Sequence, residues 1–163
     1  MLKLYKIEPS QILYWETWDN DDDTHTVHWG ELGSQGESTD IRSSLFKKAE
    51  SKTQAEIDRL VAEGYHPINI EEHRTLLIEY EIDGFGDSQD LDKRHQLEER
   101  MNETLGWTGL GLCDGGSAGS GTMEVCSYVV SFDVAREVIA TDLKDTEFDD
   151  YSRIYDEEES HSA

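Results

Sequence analysis

Positive charge is scarce in this sequence: 14 lysine and arginine residues stand against 37 aspartate and glutamate residues, for a formal net charge of -23 over 163 residues. Binding to nucleic acid in general requires clustered cations at the phosphates, so this composition disfavours that class of protein. Long apolar runs are also missing, because no segment approaches the ~18–20 residues of a membrane span. Residues 1–11 lack the apolar centre of a signal peptide. The sequence therefore predicts a cytoplasmic protein with no membrane association.

Cysteine is almost absent, with only Cys113 and Cys126. Both lie in strand-like runs, separated by a glycine-rich segment. A hairpin centred near Ala118 would place Cys126 about three rows from Cys113, or ~10 Å at ~3.3 Å per residue. A disulfide needs Cα atoms within ~7 Å, so we expect two reduced thiols in the core, as is usual in the cytoplasm.

Apolar residues make up 36% of the chain, yet four Trp, seven Tyr and four Phe favour a folded protein. Alternating and aromatic-rich runs in the N-terminal part predict an antiparallel sheet. A helix should follow, because Thr53 and Glu56 have capping-box spacing and Gly64 provides a stop signal. The predicted strands are Leu2–Ile7, Ile12–Trp18, Thr24–Gly30 and Glu37–Arg42.

One pattern in this part resembles a known family. Tyr14-Trp15-Glu16-Thr17-Trp18 is followed by Val27-His28-Trp29-Gly30-Glu31-Leu32-Gly33, then by Gly36 and a helix closing on Gly64-Tyr65. Residues 1–66 are therefore similar to a WGR domain, named for Trp-Gly-Arg and known from poly(ADP-ribose) polymerases and bacterial proteins. The resemblance implies a sheet with one helix and a role at DNA ends. Glu31 stands where the family has its arginine, and a carboxylate repels phosphate.

The second part, after a short linker at 67–73, reads as β-α-β-β-α-β over residues 74–155. This order is typical of a ferredoxin-like α+β unit, with two helices on one face of an antiparallel sheet. Residues 156–163 read as a disordered acidic tail. Predicted strands are Leu76–Ile82, Trp107–Cys113, Thr122–Phe132 and Tyr151–Tyr155; predicted helices run from Ser88 or Asp90 to Gly106 and from Asp133 to Lys144, with a glycine turn at Asp114–Gly121.

No motif for chemistry is complete. Asp19, Asp21 and Asp23 have the spacing of a calcium loop, but Thr24 and Gly30 occupy its glycine and glutamate positions. The glycine run precedes a strand, whereas a phosphate loop precedes a helix. The six histidines have no metal-site spacing, and no catalytic signature is present. The sequence predicts no catalytic residue, metal or cofactor.

We therefore expect a non-catalytic α+β binding protein, of bacterial origin, whose acidic surface recognises a basic protein, as immunity proteins and antitoxins do. The predicted contact residues are Trp29, Asp83, Asp87, Asp90 and Asp92. The alternative is nucleic-acid binding of the WGR type, through Arg42, Lys47, Lys48 and Lys52. A small-ligand sensor is a third hypothesis.

Overall fold

A computed structural model describes residues 1–160 and shows an α+β protein with two antiparallel four-stranded sheets and four α-helices. The chain divides into two compact units, Met1–Asn69 and a second that begins at Ile70. Among the helices of residues 1–160, none is long and apolar enough to cross a membrane.

The first unit is a meander whose four strands lie in chain order, followed by one helix. Leu4, Trp15 and Trp29 stand opposite one another across three strands, so alternation sends them to the same face. The helix of this unit, α1 (Ala49–Ala62), covers this face, where Leu60 packs with Leu4, Trp15 and Val27. The elements are β1 (Leu2–Ile7), β2 (Ile12–Asp19), β3 (Thr24–Glu31), β4 (Glu37–Arg42) and α1 (Ala49–Ala62). The strand predictions are confirmed to within one residue.

The predicted start of α1 is wrong, because the helix begins four residues before Thr53. Thr53 is buried within the first turns and its hydroxyl donates to the Ala49 carbonyl (3.1 Å). The Ala49 amide instead donates to the Ser43 hydroxyl (2.9 Å). A Thr-x-x-Glu spacing also occurs inside helices, and packing against the sheet decides which polar group meets the free amides.

The second unit contains a sheet whose strands lie in the order β6 (Gly111–Gly119), β7 (Thr122–Val129), β5 (Arg74–Glu81) and β8 (Arg153–Asp156). Its core is formed by the buried side chains of the two long helices and of the inward-facing strand residues. A single 3-10 turn, Ile70–Glu72, precedes the first strand. The elements are β5 (Arg74–Glu81), α2 (Ser88–Trp107), β6 (Gly111–Gly119), β7 (Thr122–Val129), α3 (Phe132–Leu143), β8 (Arg153–Asp156) and α4 (Glu157–Ser160).

The glycine run is a strand rather than a turn. Trp107 ends α2, and β6 extends through Gly119, so the turn consists of Ser120 and Gly121, both with positive φ. A side chain at Gly116 would overlap the Glu124 carbonyl and lie 3.0 Å from Arg94 Cδ. Glycine in this strand thus permits neighbouring groups to approach closely. A glycine-rich strand and a glycine-rich loop have the same composition, so composition alone does not distinguish them.

Two predicted helix caps are also wrong. Asp87, rather than Ser88 or Asp90, caps α2: its side chain accepts from the Gln89 and Asp90 amides (2.7 and 3.1 Å). Strand β7 ends at Val129, and α3 begins at Phe132 after Ser131, so Asp133 lies within the helix. Asp and Ser are both preferred at the N-cap of a helix, so residue type alone does not decide between neighbouring candidates. The backbone conformation decides which of them occupies the N-cap position.

The disordered tail is contradicted for residues 156–160. Asp156 is 3% exposed, ends β8 and pairs with Arg74 (2.6 Å), and Glu157–Ser160 form α4. The Arg74 guanidinium offsets the cost of burying the Asp156 carboxylate, which belongs to a run of acidic residues predicted to be exposed to solvent. The remainder of that prediction, residues 161–163, lies outside the described residues.

Both cysteines are free, as predicted, but only Cys113 lies in the core and Cys126 is partly buried; the predicted spacing between them is also wrong. The hairpin turns at residues 120–121 and carries a bulge at Asp114, so Cys113 stands opposite Ser127 and Gly115 opposite Cys126. Neighbouring residues of β7 point to opposite faces, and the two thiols therefore lie on opposite faces of the sheet.

We expect both thiols to react slowly with an alkylating reagent at pH 8. Burial raises the pKa of Cys113, and burial together with Asp114 raises the pKa of Cys126 from 9.0 to about 11. A shift of this size leaves roughly a hundredfold less thiolate on Cys126 at pH 8. Iodoacetamide labelling should be much slower in the folded than in the urea-unfolded protein and should accelerate as the pH approaches 11. Equal rates in the two states would contradict this.

Candidate functional site

The predicted acidic residues lie around the loop that joins β5 to α2. Asp87 and Asp90 form a reciprocal capping box, since the Asp87 amide also donates to Asp90 Oδ2 (2.9 Å). Asp83 and Asp92 are exposed and take no part in this cap. The four carboxylates therefore have two roles: two hold the start of the helix, and two are available to a partner.

The backbone of this loop is fixed by hydrogen bonds. The Gly86 amide donates to the Asp83 carbonyl (2.9 Å), and the Gly121 amide, from the β6–β7 turn, donates to the Gly84 carbonyl (2.7 Å). Gly84 and Gly86 have φ values of 61° and 80°, which side chains rarely adopt. The loop is thus held beside the β6–β7 turn in one conformation.

Phe85 stands at the apex of the loop and is 80% exposed. Its ring edge lies 3.5 Å from where a Cβ at Gly119 would be. We name Asp83, Phe85 and Asp87 the Phe85 tip: one exposed aromatic ring between two carboxylates. Sequence reasoning identified the acids and missed the ring. The available signal was an apolar residue between two turn glycines, in Asp-Gly-Phe-Gly-Asp.

Trp29 lies in the first unit, partly buried against the core. It lines a hollow of about 490 Å³ between the sheet and α1, here named the Trp29 groove. The floor is apolar, and Lys52, Glu56, Arg59 and Glu63 line its charged side. Arg59 bridges Glu56 and Glu63, both at 2.5 Å. The other floor residues are Trp15, Val27, Ile41, Leu60 and Tyr65.

The four predicted nucleic-acid contacts do lie near one another, at the junction of β4 and α1. Lys52 Nζ donates to the Arg42 carbonyl (2.7 Å). Lys48 lines a hollow of about 360 Å³ together with Asp19, Asp21, Asp23 and Glu50. Acidic groups therefore accompany this basic segment, which weakens any attraction for phosphate.

A buried polar network that the sequence did not reveal joins β1, β2 and β3. His28 Nδ1 lies 2.7 Å from Glu16 Oε1, and His28 Nε2 lies 2.6 Å from the Gln35 carbonyl oxygen. Lys3 Nζ lies 3.0 Å from Glu16 Oε2. Tyr14 Oη lies 3.1 Å from His28 Nε2 and donates to the Ser34 carbonyl (3.1 Å). Only the register, with Glu16 opposite His28, brings these groups together.

Tyr14, His28 and Glu16 are arranged in the order nucleophile, base and carboxylate. Their burial, however, opposes nucleophilic catalysis, because a substrate would have to reach Tyr14. Tyr14, Glu16 and His28 are at most 4% exposed. Burial and the Glu16 charge raise the pKa of Tyr14, which makes its reactive anion harder to form. The hydrogen bonds to Ser34 and Gln35 instead tie the turn after β3 to the sheet.

The glycines of that turn are required by close packing. Gly33 and Gly36 have φ values of 91° and 61°. A Cβ at Gly30 would lie 2.8 Å from Gly36 Cα and 3.1 Å from the Tyr14 ring. The spaced glycines that carried the family resemblance therefore allow the turn after β3 to pack against that strand.

Within residues 1–160, no cluster of three or more histidine, cysteine, aspartate or glutamate side chains is arranged to hold a metal ion. Comparisons with protein-family models, with curated proteins and with solved structures found no match to this chain.

Proposed function

We propose that this chain is a non-catalytic binding protein whose Phe85 tip contacts a basic protein partner. The observation that carries the proposal is the exposed ring of Phe85 between Asp83 and Asp87, on a loop fixed by hydrogen bonds. Aromatic anchors dominate binding energies at protein interfaces, and a preorganised loop loses little entropy on binding. An immunity- or antitoxin-like role is the class of function that this chemistry fits.

The charge of the chain supports a basic partner. A net charge of -23 raises the association rate with a cationic protein and repels acidic ones. Asp83 and Asp87 flank the aromatic anchor along the loop, so the electrostatic attraction and the apolar contact act on the same segment. Such a surface needs no pocket and no reactive group.

The fold assignments are part of this proposal. A WGR-like first unit is supported by the four-stranded meander, the single helix and the packed glycines after Trp29. A ferredoxin-like second unit is supported by the order β6-β7-β5-β8, which a β-α-β-β-α-β chain of that type requires. Glu31 in place of the family arginine, and the acids beside Lys48, favour a protein partner over nucleic acid.

The proposal is tested by affinity capture from the source cell with three baits: the parent chain, Phe85→Ala and Ile7→Ala. Ile7 is 61% exposed, lies in neither proposed contact surface and serves as the control. We expect a basic protein that the parent and Ile7→Ala capture and Phe85→Ala loses. In purified form its affinity for Phe85→Ala should fall by ~30-fold, which corresponds to ~2 kcal/mol.

Charge reversal tests the electrostatic part. Asp83→Lys with Asp92→Lys should slow association about tenfold at low salt, and the difference should vanish near ~1 M salt. Glu103→Lys with Glu137→Lys, at two exposed acids on α2 and α3, changes the net charge by the same amount and is the control for net charge alone. Capture that depends on Lys47 and Lys48 and is lost on nuclease treatment would overturn the proposal in favour of nucleic acid. A partner that binds Phe85→Ala as tightly as the parent would also overturn it.

A further inference from the structure

Strand β4 forms an open edge of the first sheet. Among the described residues, β3 is the only strand that pairs with it. At the opposite edge, β1 is covered where Tyr5 and His66 exchange backbone hydrogen bonds (2.8 and 2.9 Å). Five of the six β4 residues are exposed. Unpaired edges of this kind are templates for another strand.

The backbone groups that face this open edge can be assigned. At the end of the β3–β4 ladder, the Ser43 amide donates to the Asp23 carbonyl (3.3 Å). Hydrogen-bonded and non-hydrogen-bonded pairs alternate in an antiparallel ladder, so Ile41 bonds to β3 while Asp40 and Arg42 direct their amides and carbonyls outward. The Arg42 carbonyl accepts from Lys52 and retains a second lone pair.

A second exposed apolar feature follows directly after this edge. Leu45 and Phe46 are 97% and 96% exposed at the apex of a tight turn, in which the Ser44 amide donates to the Lys47 carbonyl (2.8 Å). Ser43 anchors the turn, since its hydroxyl accepts from the Ala49 amide (2.9 Å). We name residues 44–47 the Phe46 tip. Two large apolar side chains held outward in this way indicate a contact surface.

We propose that two copies of this chain associate through β4, paired antiparallel about a two-fold axis at Ile41. This register places Asp40 opposite Arg42 of the second copy, and Arg42 opposite its Asp40, and all four residues direct their backbone groups across the junction. A register centred one residue earlier would oppose two Asp40 carboxylates. The interface is isologous, as a two-fold axis requires.

The same register joins the apolar surfaces of the two copies. Ile41 lines the Trp29 groove, and it would meet Ile41 of the second copy at the axis. The Phe46 tip follows β4 and would extend past Glu37 of the second copy, which pairs with Trp29 on β3. Leu45 and Phe46 would therefore be covered at the open side of the second copy's Trp29 groove.

The pairing of Asp40 with Arg42 across the axis favours a second copy over an anionic membrane as the occupant, because it gives two copies a local attraction that a membrane lacks. The acidic turn at Asp21–Asp23 is hydrogen-bonded to Ser43 beside the tip, so a phospholipid headgroup would meet carboxylates there. Two copies repel each other through their net charge of -23, and salt screens that repulsion. Association through β4 should therefore strengthen with salt, whereas binding of a basic partner at the Phe85 tip should weaken.

The test is sedimentation velocity of the full chain over a range of concentrations, at about 0.05 M and about 0.5 M salt. We expect a reversible monomer–dimer equilibrium that is tighter at the higher salt. Arg42→Asp should weaken the dimer at least ~10-fold by opposing like charges. Asp40→Arg with Arg42→Asp restores the opposite charges and should restore the dimer.

Leu45→Ser with Phe46→Ser should weaken the dimer by ~30-fold or more. Phe85→Ser makes the same kind of substitution at an exposed ring outside the proposed dimer interface and should leave the dimer unchanged. Circular dichroism checks that each variant is folded. A chain that stays monomeric at both salt concentrations overturns the proposal, as does a dimer that Arg42→Asp leaves intact. Monomers that bind phosphatidylserine vesicles through Leu45 and Phe46 would also overturn it and assign the tip to lipid.

Discussion

Gly36→Ala is expected to destabilise the first unit by at least ~3 kcal/mol. Gly36 has a φ of 61°, where an L side chain costs roughly 1–2 kcal/mol. Its new Cβ would also overlap the Trp29 carbonyl oxygen and lie 2.5 Å from Tyr14 Oη. Neither group can move freely, because one is backbone in β3 and the other bonds to the Ser34 carbonyl. Urea unfolding followed by tryptophan fluorescence measures the loss.

Gly64→Ala is the matched control for that experiment. Gly64 has a φ of 96°, and a Cβ there would meet no atom within 4 Å. Its substitution therefore carries the backbone cost of roughly 1–2 kcal/mol without the overlap. Equal losses for the two variants would show that the packing of the turn after β3 adds nothing to stability.

Glu16→Ala is expected to cost ~3–5 kcal/mol, because it leaves His28 buried and Lys3 partly buried without their carboxylate. Removal of one member of a buried ion pair is more damaging than replacement of both, since the remaining polar group keeps its desolvation penalty. Glu16→Gln retains an acceptor for His28 and should recover part of the loss. Chemical denaturation of the three proteins gives the comparison.

The control is a surface ion pair. Lys93 Nζ lies 2.5 Å from Asp150, whose side chain is 67% exposed. Asp150→Ala should change the free energy of unfolding by no more than ~1 kcal/mol. If Glu16→Ala changed the free energy of unfolding as little as Asp150→Ala, the network among Glu16, His28 and Lys3 would have no structural role. Its arrangement of nucleophile, base and carboxylate would then have to be tested for catalysis.

The two exposed tips explain how one acidic chain could take part in two kinds of contact. The Phe85 tip carries acids on both sides and attracts a basic partner, and salt weakens that attraction. Association through β4 brings together two copies of like net charge, and salt screens that repulsion. The salt dependence of each association, measured on the same protein, therefore separates the two proposals even if one of them fails.

Local sequence determined most of the secondary structure. In β1 apolar and polar residues alternate with the two-residue period of a strand, β2 is rich in strand-favouring aromatic residues, and turn residues such as Asp19–Asp23 separate β2 from β3. In α2, Leu97, Met101 and Leu105 recur every four residues, and all three are buried in the fold. These elements could be predicted because the burial of one face repeats with the period of the backbone.

The tertiary structure decided the points where several local solutions are nearly equal in free energy. Thr53 and the glycines of β6 each fit the role predicted for them by residue type, and packing against other elements chose another. The same holds for the candidate site. Glu16 and His28 meet only through strand register, and Asp156 is buried only because Arg74 lies beside it. The exposure of Phe85 and Phe46 depends equally on hydrogen bonds that hold two turns outward, and long-range contacts of this kind leave no periodic trace in the chain.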